Sequence, residues 1–223
     1  MLSPVKSHPL INKKGAPALP AGVNETSFFL HNGELLAISF NRPPYTTEII
    51  VHRVRDKAEL ARWPWTAAFG TVLVDCGVIH IFGSTQPSAY RAGNWVVHST
   101  LDPVTFEPTS AVNAYQAPVV PSGPYTIPNV GVCKAPFGYL MAVDLMSSRV
   151  DGGDGSQGRS IFLQSTSPDG PWTRFGSPFA SADTSFLGAF KPFYLQNGPH
   201  PSRCYLVYNS CLGTSATPDK PFF

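Results

Sequence analysis

Pairs of short apolar runs, each pair joined by a few turn-forming residues, recur four times along the chain. The pairs are SFFLHNGELLAISF, TVLVDCGVIHIFGS, NVGVCKAPFGYLMAVD and FKPFYLQNGPHPSRCYLVYNS. Two apolar runs around a short turn with Asn, Asp or Gly are typical of a β-hairpin. Each of the first three pairs is followed by a further apolar run, EIIVHRV, NWVVHST or SIFLQST. Helical patterning is weak, with RDKAELARW as its best run, so the sequence predicts antiparallel strands.

A polar turn that carries an aspartate, followed by an aromatic residue, closes each of the first three units. The aspartates are Asp56, Asp102 and Asp169, and the aromatic residues are Trp63, Phe106 and Trp172. The hairpin glycines, Gly33, Gly77, Gly138 and Gly198, lie 44, 61 and 60 residues apart. This spacing is typical of propeller blades with insertions. We therefore predict an all-β fold, a β-propeller, with each aromatic ring packed between adjacent blades.

The predicted propeller domain covers residues 24–223, after an N-terminal extension over residues 1–23. A β-sandwich of short strands is the alternative, since sandwiches also contain a hairpin every 8 to 12 residues or so. A sandwich does not need the Asp-turn-aromatic element three times, and this favours the propeller. The fourth unit ends in YNSCLGTSATPDKPFF without a third strand. We expect either that the N-terminal segment completes the last blade or that this chain lacks that blade.

Charge and cysteine content exclude several classes of function. The net charge is +2 without a basic block, so nucleic acid is not an expected partner. The four cysteines form no CxxC pair, which argues against a zinc site and predicts buried free thiols, with disulfides in an oxidising compartment as the alternative. No run approaches the roughly 18 apolar residues of a membrane span, and no signal-peptide pattern opens the chain. The compartment stays undecided.

Other candidate chemistry is sparse. His52 and His98 occupy similar places in their units and His80 lies within a strand, so all three are predicted to be structural. The segment RVDGGDGSQGRS is rich in Asp and Gly but lacks the ligand spacing and closing Glu of an EF-hand loop. We therefore expect no cofactor, with calcium at this segment as the weaker alternative.

Two segments resemble a known family. SPDGPWTR resembles the blade-ending segment of the five-bladed β-propeller glycosidases of glycoside hydrolase family 43, and NVGVCKAPFGYLMAVD resembles a blade-opening hairpin of their relatives. The resemblance covers roughly Asn24 to Asn209, as a repeat pattern. It implies a five-bladed fold of which this chain represents about four blades. It also implies an enzyme that acts on carbohydrate in a central funnel lined by the innermost strands.

The resemblance also implies site residues. Such enzymes are mostly inverting, with two carboxyl groups roughly 6.5–9.5 Å apart that serve as general base and general acid. Glu25 directly precedes the first strand, where the family usually has an aspartate base. Asp144 ends the second strand of the third hairpin. We expect it at the same rim of the funnel as Glu25 and Asn129. Asn129, Arg42 and Lys191 are candidates for substrate binding, at a strand entry, a strand end and the fourth hairpin.

Three functions remain open. The first is hydrolysis of a glycosidic bond in a polysaccharide or oligosaccharide by Glu25 and Asp144. The second is a propeller that binds carbohydrate or protein without catalysis, because the third acid that the family commonly uses has no counterpart here. A structural role inside a larger protein is the weakest. For each site residue the ordinary alternative is a loop acid, a strand cap or a surface cation.

Overall fold

The computed structural model describes residues 26–41, 47–85, 93–117, 119–120, 123–127, 129–147, 159–176, 186–194 and 204–211. All regular structure in these residues is β-strand, as the apolar pattern predicts. None of the described residues belongs to a helix long and apolar enough to span a membrane. The predicted extension and its boundary at residue 24 lie outside the described residues.

The first two blades are four-stranded antiparallel sheets with their strands in chain order. Blade 1 consists of β1 (Thr26–His31), β2 (Glu34–Asn41), β3 (Glu48–Arg53) and β4 (Glu59–Pro64). Blade 2 consists of β5 (Ala67–Asp75), β6 (Val78–Thr85), β7 (Trp95–Leu101) and β8 (Val112–Gln116).

Blade 3 repeats this order and carries an addition. Its strands are β11 (Val130–Ala135), β12 (Gly138–Ser147), β13 (Arg159–Ser165) and β14 (Thr173–Gly176). Two short strands, β9 (Val119–Val120) and β10 (Gly123–Thr126), extend the sheet beside the far end of β12. The described part of blade 4 is the hairpin β15 (Phe186–Tyr194) and β16 (Cys204–Cys211).

The first two hairpin turns have the local chemistry that the sequence indicates. Asn32 and Gly33 both have positive φ, at 49° and 79°, and Cys76 and Gly77 repeat this at 49° and 81°. Two consecutive residues with positive φ match the right-handed twist of the flanking strands, and glycine tolerates this conformation without a steric cost.

Side chains alternate between the two faces of each blade, and each face packs against a neighbouring blade. One apolar cluster joins β2 residues, such as Phe40, to β6 residues, such as Ile81. A second joins blades 2 and 3 through Phe82 and Met141, and a third joins blade 3 to Cys204 of blade 4. A sandwich has a single interface between two sheets, whereas successive interfaces of this kind define a propeller.

Two of the three predicted aromatic wedges are confirmed. Phe106 and Trp172 are buried in the interfaces between blades 1 and 2 and between blades 2 and 3. Trp63 differs because the second half of the best helical run, from Glu59 onward, belongs to strand β4. Trp63 is therefore only partly buried at the cluster edge, and Trp65 is the ring that fills the first interface.

The innermost strands of the blades lie side by side around one axis. β1 contacts β5, β5 contacts β11 and β11 contacts β15. Two of these strands carry a β-bulge, between Ala68 and Thr71 in β5 and between Gly188 and Lys191 in β15. Bulges bend a strand and release backbone groups from the ladder. The order of contacts among the four inner strands is the one expected for the wall of the predicted funnel.

Candidate functional site

Two of the predicted site residues meet on blade 3. The Asn129 side-chain amide donates a 2.9 Å hydrogen bond to Asp144 Oδ2, and the Asp144 backbone N–H donates to the Asn129 carbonyl at 3.2 Å. Asn129 directly precedes β11, and Asp144 lies opposite it on β12. Asp144 is only 2% exposed. By alternation its side chain shares the face of Leu140 and Ala142, which is packed towards blade 4.

The predicted location of Asp144 at a strand end is wrong. β12 continues to Ser147 because its last residues pair with β10, Thr126 opposite Met146 and Tyr125 opposite Ser147. The additional strands β9 and β10 have no counterpart among the described strands of the other blades, and nothing in the apolar pattern of residues 119–126 predicted them. Asp144 therefore lies inside a sheet, where burial constrains it more than a turn would.

Lys191 connects three blades. Its ammonium group donates to the carbonyl of Val130 at 2.7 Å and to the carbonyl of Gly70 at 3.3 Å. Gly70 lies in the β5 bulge, where a Cβ atom would come within 2.6 Å of a Phe40 ring carbon. Only glycine fits there, and the bulge leaves its carbonyl available to the lysine. Lys191 therefore braces the inner strands of blades 2 and 3 from blade 4, and its predicted role in substrate binding remains a prediction.

Glu25 and Arg42 lie outside the described residues. In blade 1 several described polar groups contact one another near the start of β1, the end of β2 and the start of β3. The Thr26 and Ser39 hydroxyls are 2.9 Å apart, and the Asn41 amide donates to Glu48 Oε1 at 3.0 Å. Arg62 neutralises Glu48 through a 2.5 Å ion pair. Sequence reasoning missed this group because its members come from all four strands of the blade.

The opposite end of the propeller, where the hairpin turns lie, carries another carboxylate. Asp75 accepts hydrogen bonds from Lys134 at 2.6 and 2.8 Å and from the Tyr139 hydroxyl at 2.5 Å. The hydrogen bond from Lys134, and then that from Tyr139, hold the pKa of Asp75 below its usual value. Asp75 lies at a hairpin turn, at the opposite end of the propeller from Asp144. Its hydrogen bonds with Lys134 and Tyr139 link blade 2 to blade 3.

Two buried histidines and an exposed aspartate form a chain at the interface between blades 2 and 3. His80 Nδ1 lies 3.0 Å from His98 Nε2, and His98 Nδ1 lies 2.8 Å from the carboxylate of Asp169. Burial lowers the pKa of both imidazoles, although Asp169 acts in the opposite direction. His98 also stacks on Phe82, with ring centroids 4.6 Å apart. These contacts are those of structural residues.

No metal centre is evident in the part of the chain that the structure describes, where no three His, Cys, Asp or Glu residues form a group able to hold an ion. The weaker alternative, calcium at the segment rich in Asp and Gly, falls almost entirely on residues 149–158, outside the described ranges.

Of the comparisons with known proteins, the one with solved structures identifies the fold. No family model and no curated protein sequence matches the chain. Among solved structures, a thermostable family-43 glycoside hydrolase aligns with TM-score 0.63 and 14% identity over 84% of this chain and 65% of its own. An endo-1,4-β-xylanase from Bacteroides thetaiotaomicron VPI-5482 aligns with TM-score 0.61 and 11% identity over 87% of this chain and 67% of its own.

A third structure, a Penicillium chrysogenum α-L-arabinanase in complex with arabinobiose, aligns with TM-score 0.53 and 13% identity over 90% of this chain and 62% of its own. The described fold is thus a β-propeller like those of family-43 glycoside hydrolases, which confirms the predicted fold and the resemblance. This chain spans about two-thirds of the length of these three proteins. Identities this low establish the fold alone.

Proposed function

We propose that this protein acts on carbohydrate in the funnel of the propeller, as a glycoside hydrolase with Glu25 and Asp144 as its carboxyl pair. The observation that carries the proposal is the buried Asp144–Asn129 pair beside the inner strands of a fold shared with family-43 enzymes. Glu25 supports it by position. β1 and β11 are both six residues long, and Glu25 directly precedes β1 as Asn129 precedes β11.

The contact with Asn129 orients the carboxyl group of Asp144, because Oδ2 accepts the amide N–H. In this proposal Asp144 is the general acid, and its protonated carboxyl group donates to the leaving group. Glu25 then serves as the base that activates water, at the separation of roughly 6.5–9.5 Å that inverting enzymes use. Asn129 positions the acid.

Carbohydrate binding without hydrolysis is the second candidate. One observation favours it: Asp144 is 2% exposed and already engaged by Asn129, so little of its carboxyl group is accessible to a sugar. A propeller that uses the funnel for recognition alone needs no second carboxyl group at a set distance. The two candidates share the ligand class and differ in turnover.

The test is a screen of the full-length protein against aryl glycosides and plant polysaccharides, with released sugar as the readout. Glu25→Gln and Asp144→Asn should each lower kcat/KM by roughly 10²–10⁴-fold. Glu107→Gln, at an exposed acid near the hairpin-turn end, is the matched control and should retain activity.

Full activity in both site variants would refute the assignment of the carboxyl pair. A folded wild-type protein that binds a glycan saturably but releases no sugar would replace hydrolysis by the second candidate.

A further inference from the structure

Two cysteine thiols meet at the interface between blades 3 and 4. Cys133 lies on β11 opposite Leu140 and is buried in a small cluster with Leu140, Ala142 and Phe162. Cys204 is the first residue of β16 and packs against that cluster from blade 4. The two thiols therefore lie in one cluster across the interface, and the pKa of each responds to the other.

The pairing of these thiols comes from the fold. The two residues are 71 positions apart in the sequence, on strands of different blades. Cys133 faces blade 4 because alternate residues of β11 face opposite sides of the sheet. Cys204 pairs with Tyr194, at the end of β15, and β15 is the strand that lies against β11. Cys76, by contrast, is exposed at the turn between β5 and β6.

We propose that Cys133 and Cys204 are a redox-active pair that forms a disulfide between blades 3 and 4 in exchange with a low-molecular-weight disulfide such as oxidised glutathione. The two residues are free thiols in this structure. The pair is independent of the proposed activity on carbohydrate, because neither residue belongs to the candidate site.

The exchange proceeds in two steps that balance. Cys204, the less buried of the two, attacks as a thiolate one sulfur of oxidised glutathione, and one glutathione thiolate leaves. Cys133 then loses its proton and attacks the Cys204 sulfur of the mixed disulfide, and the second glutathione thiolate leaves. Two protein thiols and one glutathione disulfide thus give one protein disulfide and two glutathione thiols.

Burial sets the order and the speed of these steps. Burial raises the pKa of Cys133 to about 12. It also raises the pKa of Cys204, although the hydrogen bond with Cys133 lowers the pKa of Cys204. Only the thiolate attacks a disulfide, so the reaction is slow at neutral pH and starts at Cys204. Once formed, the disulfide holds the blade that carries Lys191 against the blade that carries Asp144.

The experiment uses the full-length protein, reduced and then equilibrated with oxidised glutathione at pH 8. Peptide mapping without reduction should recover a Cys133–Cys204 crosslink. The midpoint of thermal unfolding, Tm, should rise by roughly 5–10 °C in the oxidised protein, because the link closes a long loop of the unfolded chain. The reductant dithiothreitol should reverse both changes.

Two variants separate this pair from the other cysteines. Cys76→Ser should retain the crosslink and the rise in Tm, whereas Cys204→Ser should lose both. If Cys204→Ser does not fold, the wild-type peptide map decides alone. Recovery of Cys133 as an alkylated free thiol after oxidation, or of Cys204 joined to glutathione or to Cys211, would overturn the proposal.

Discussion

The interface between blades 1 and 2 and the interface between blades 2 and 3 are built differently. The first is apolar at its centre, with Phe40, Ile38 and Ile81 fully buried, and its buried polar link is neutral, from Trp65 Nε1 to the Ser99 hydroxyl at 3.0 Å. The second carries ionisable groups besides its apolar centre: the His80–His98–Asp169 chain and, at the rim, the Asp75–Lys134–Tyr139 group.

The difference shows that blades of similar backbone are joined by different physical means. Dispersion and the hydrophobic effect dominate the first interface, and their contribution does not depend on pH. The second adds groups whose charge changes with pH, so part of its contribution depends on the solution. The first interface should therefore control the magnitude of the unfolding free energy, and the second its pH dependence.

The largest expected effect is at the apolar interface. Phe40→Ala should lower the free energy of unfolding by about 3–5 kcal/mol, because it removes a fully buried ring and leaves a cavity. Denaturant unfolding at pH 7 measures the loss. Phe28→Ala, at a ring that is 58% exposed on the neighbouring strand, is the control and should change the stability by at most about 0.5 kcal/mol. Equal losses in both variants would contradict the assigned interface.

The second effect is a loss of stability in mild acid. Burial lowers the pKa values of His80 and His98 below the ordinary 6.5, so the unfolded chain binds protons more readily than the folded one. Their contribution is complete above pH 6.5 and is lost as the pH falls below it, with a slope of at most about 1.4 kcal/mol per pH unit for each histidine.

Unfolding between pH 7.5 and 5 measures this slope. His98→Gln should flatten the dependence of stability on pH. Burial also lowers the pKa of His52 in blade 1, so His52→Gln measures how much blade 1 contributes to the same dependence. A slope unchanged in both variants would exclude His98 and His52 as its cause.

The smallest expected effect is at the rim of the second interface. Tyr139→Phe removes the hydrogen bond to the Asp75 carboxylate and should cost about 1–1.5 kcal/mol at pH 7. Because the pKa of Asp75 is lowered, the carboxylate and the cost should persist at pH 5 and diminish only below the ordinary value of 3.8. A cost that disappears already at pH 5 would show that another group is responsible.

Most of the blade framework could be predicted from local sequence. Paired apolar runs around Asn32–Gly33 and Cys76–Gly77 fix hairpins, because the turn conformation and strand alternation depend on neighbouring residues. The apolar pattern did not predict the fourth strand of the blades. In blade 1 this strand, β4, lies in a segment with helical spacing and exposed charges. Its pairing with β3, rather than its own propensity, makes it a strand.

The candidate site was only partly predictable. The contact between Asn129 and Asp144 follows from hairpin register, which counting from the turn at residues 136–137 reproduces. The placement of Lys191 against Gly70 does not follow, because the two residues are 121 positions apart and meet only through the packing of separate blades.

The sequence by itself determined the repeat, the hairpins and the aromatic closure of two units, because these depend on residues within about 60 positions of one another. Only the tertiary structure decided which face of each strand meets the next blade and which partners each buried polar group has. His80 beside His98, Lys191 on two carbonyls and Cys133 against Cys204 are brought together by strand pairing and by the packing of blades around an axis. No local pattern specifies contacts of that kind, since a buried polar group is stabilised by whatever partner the assembled fold places next to it.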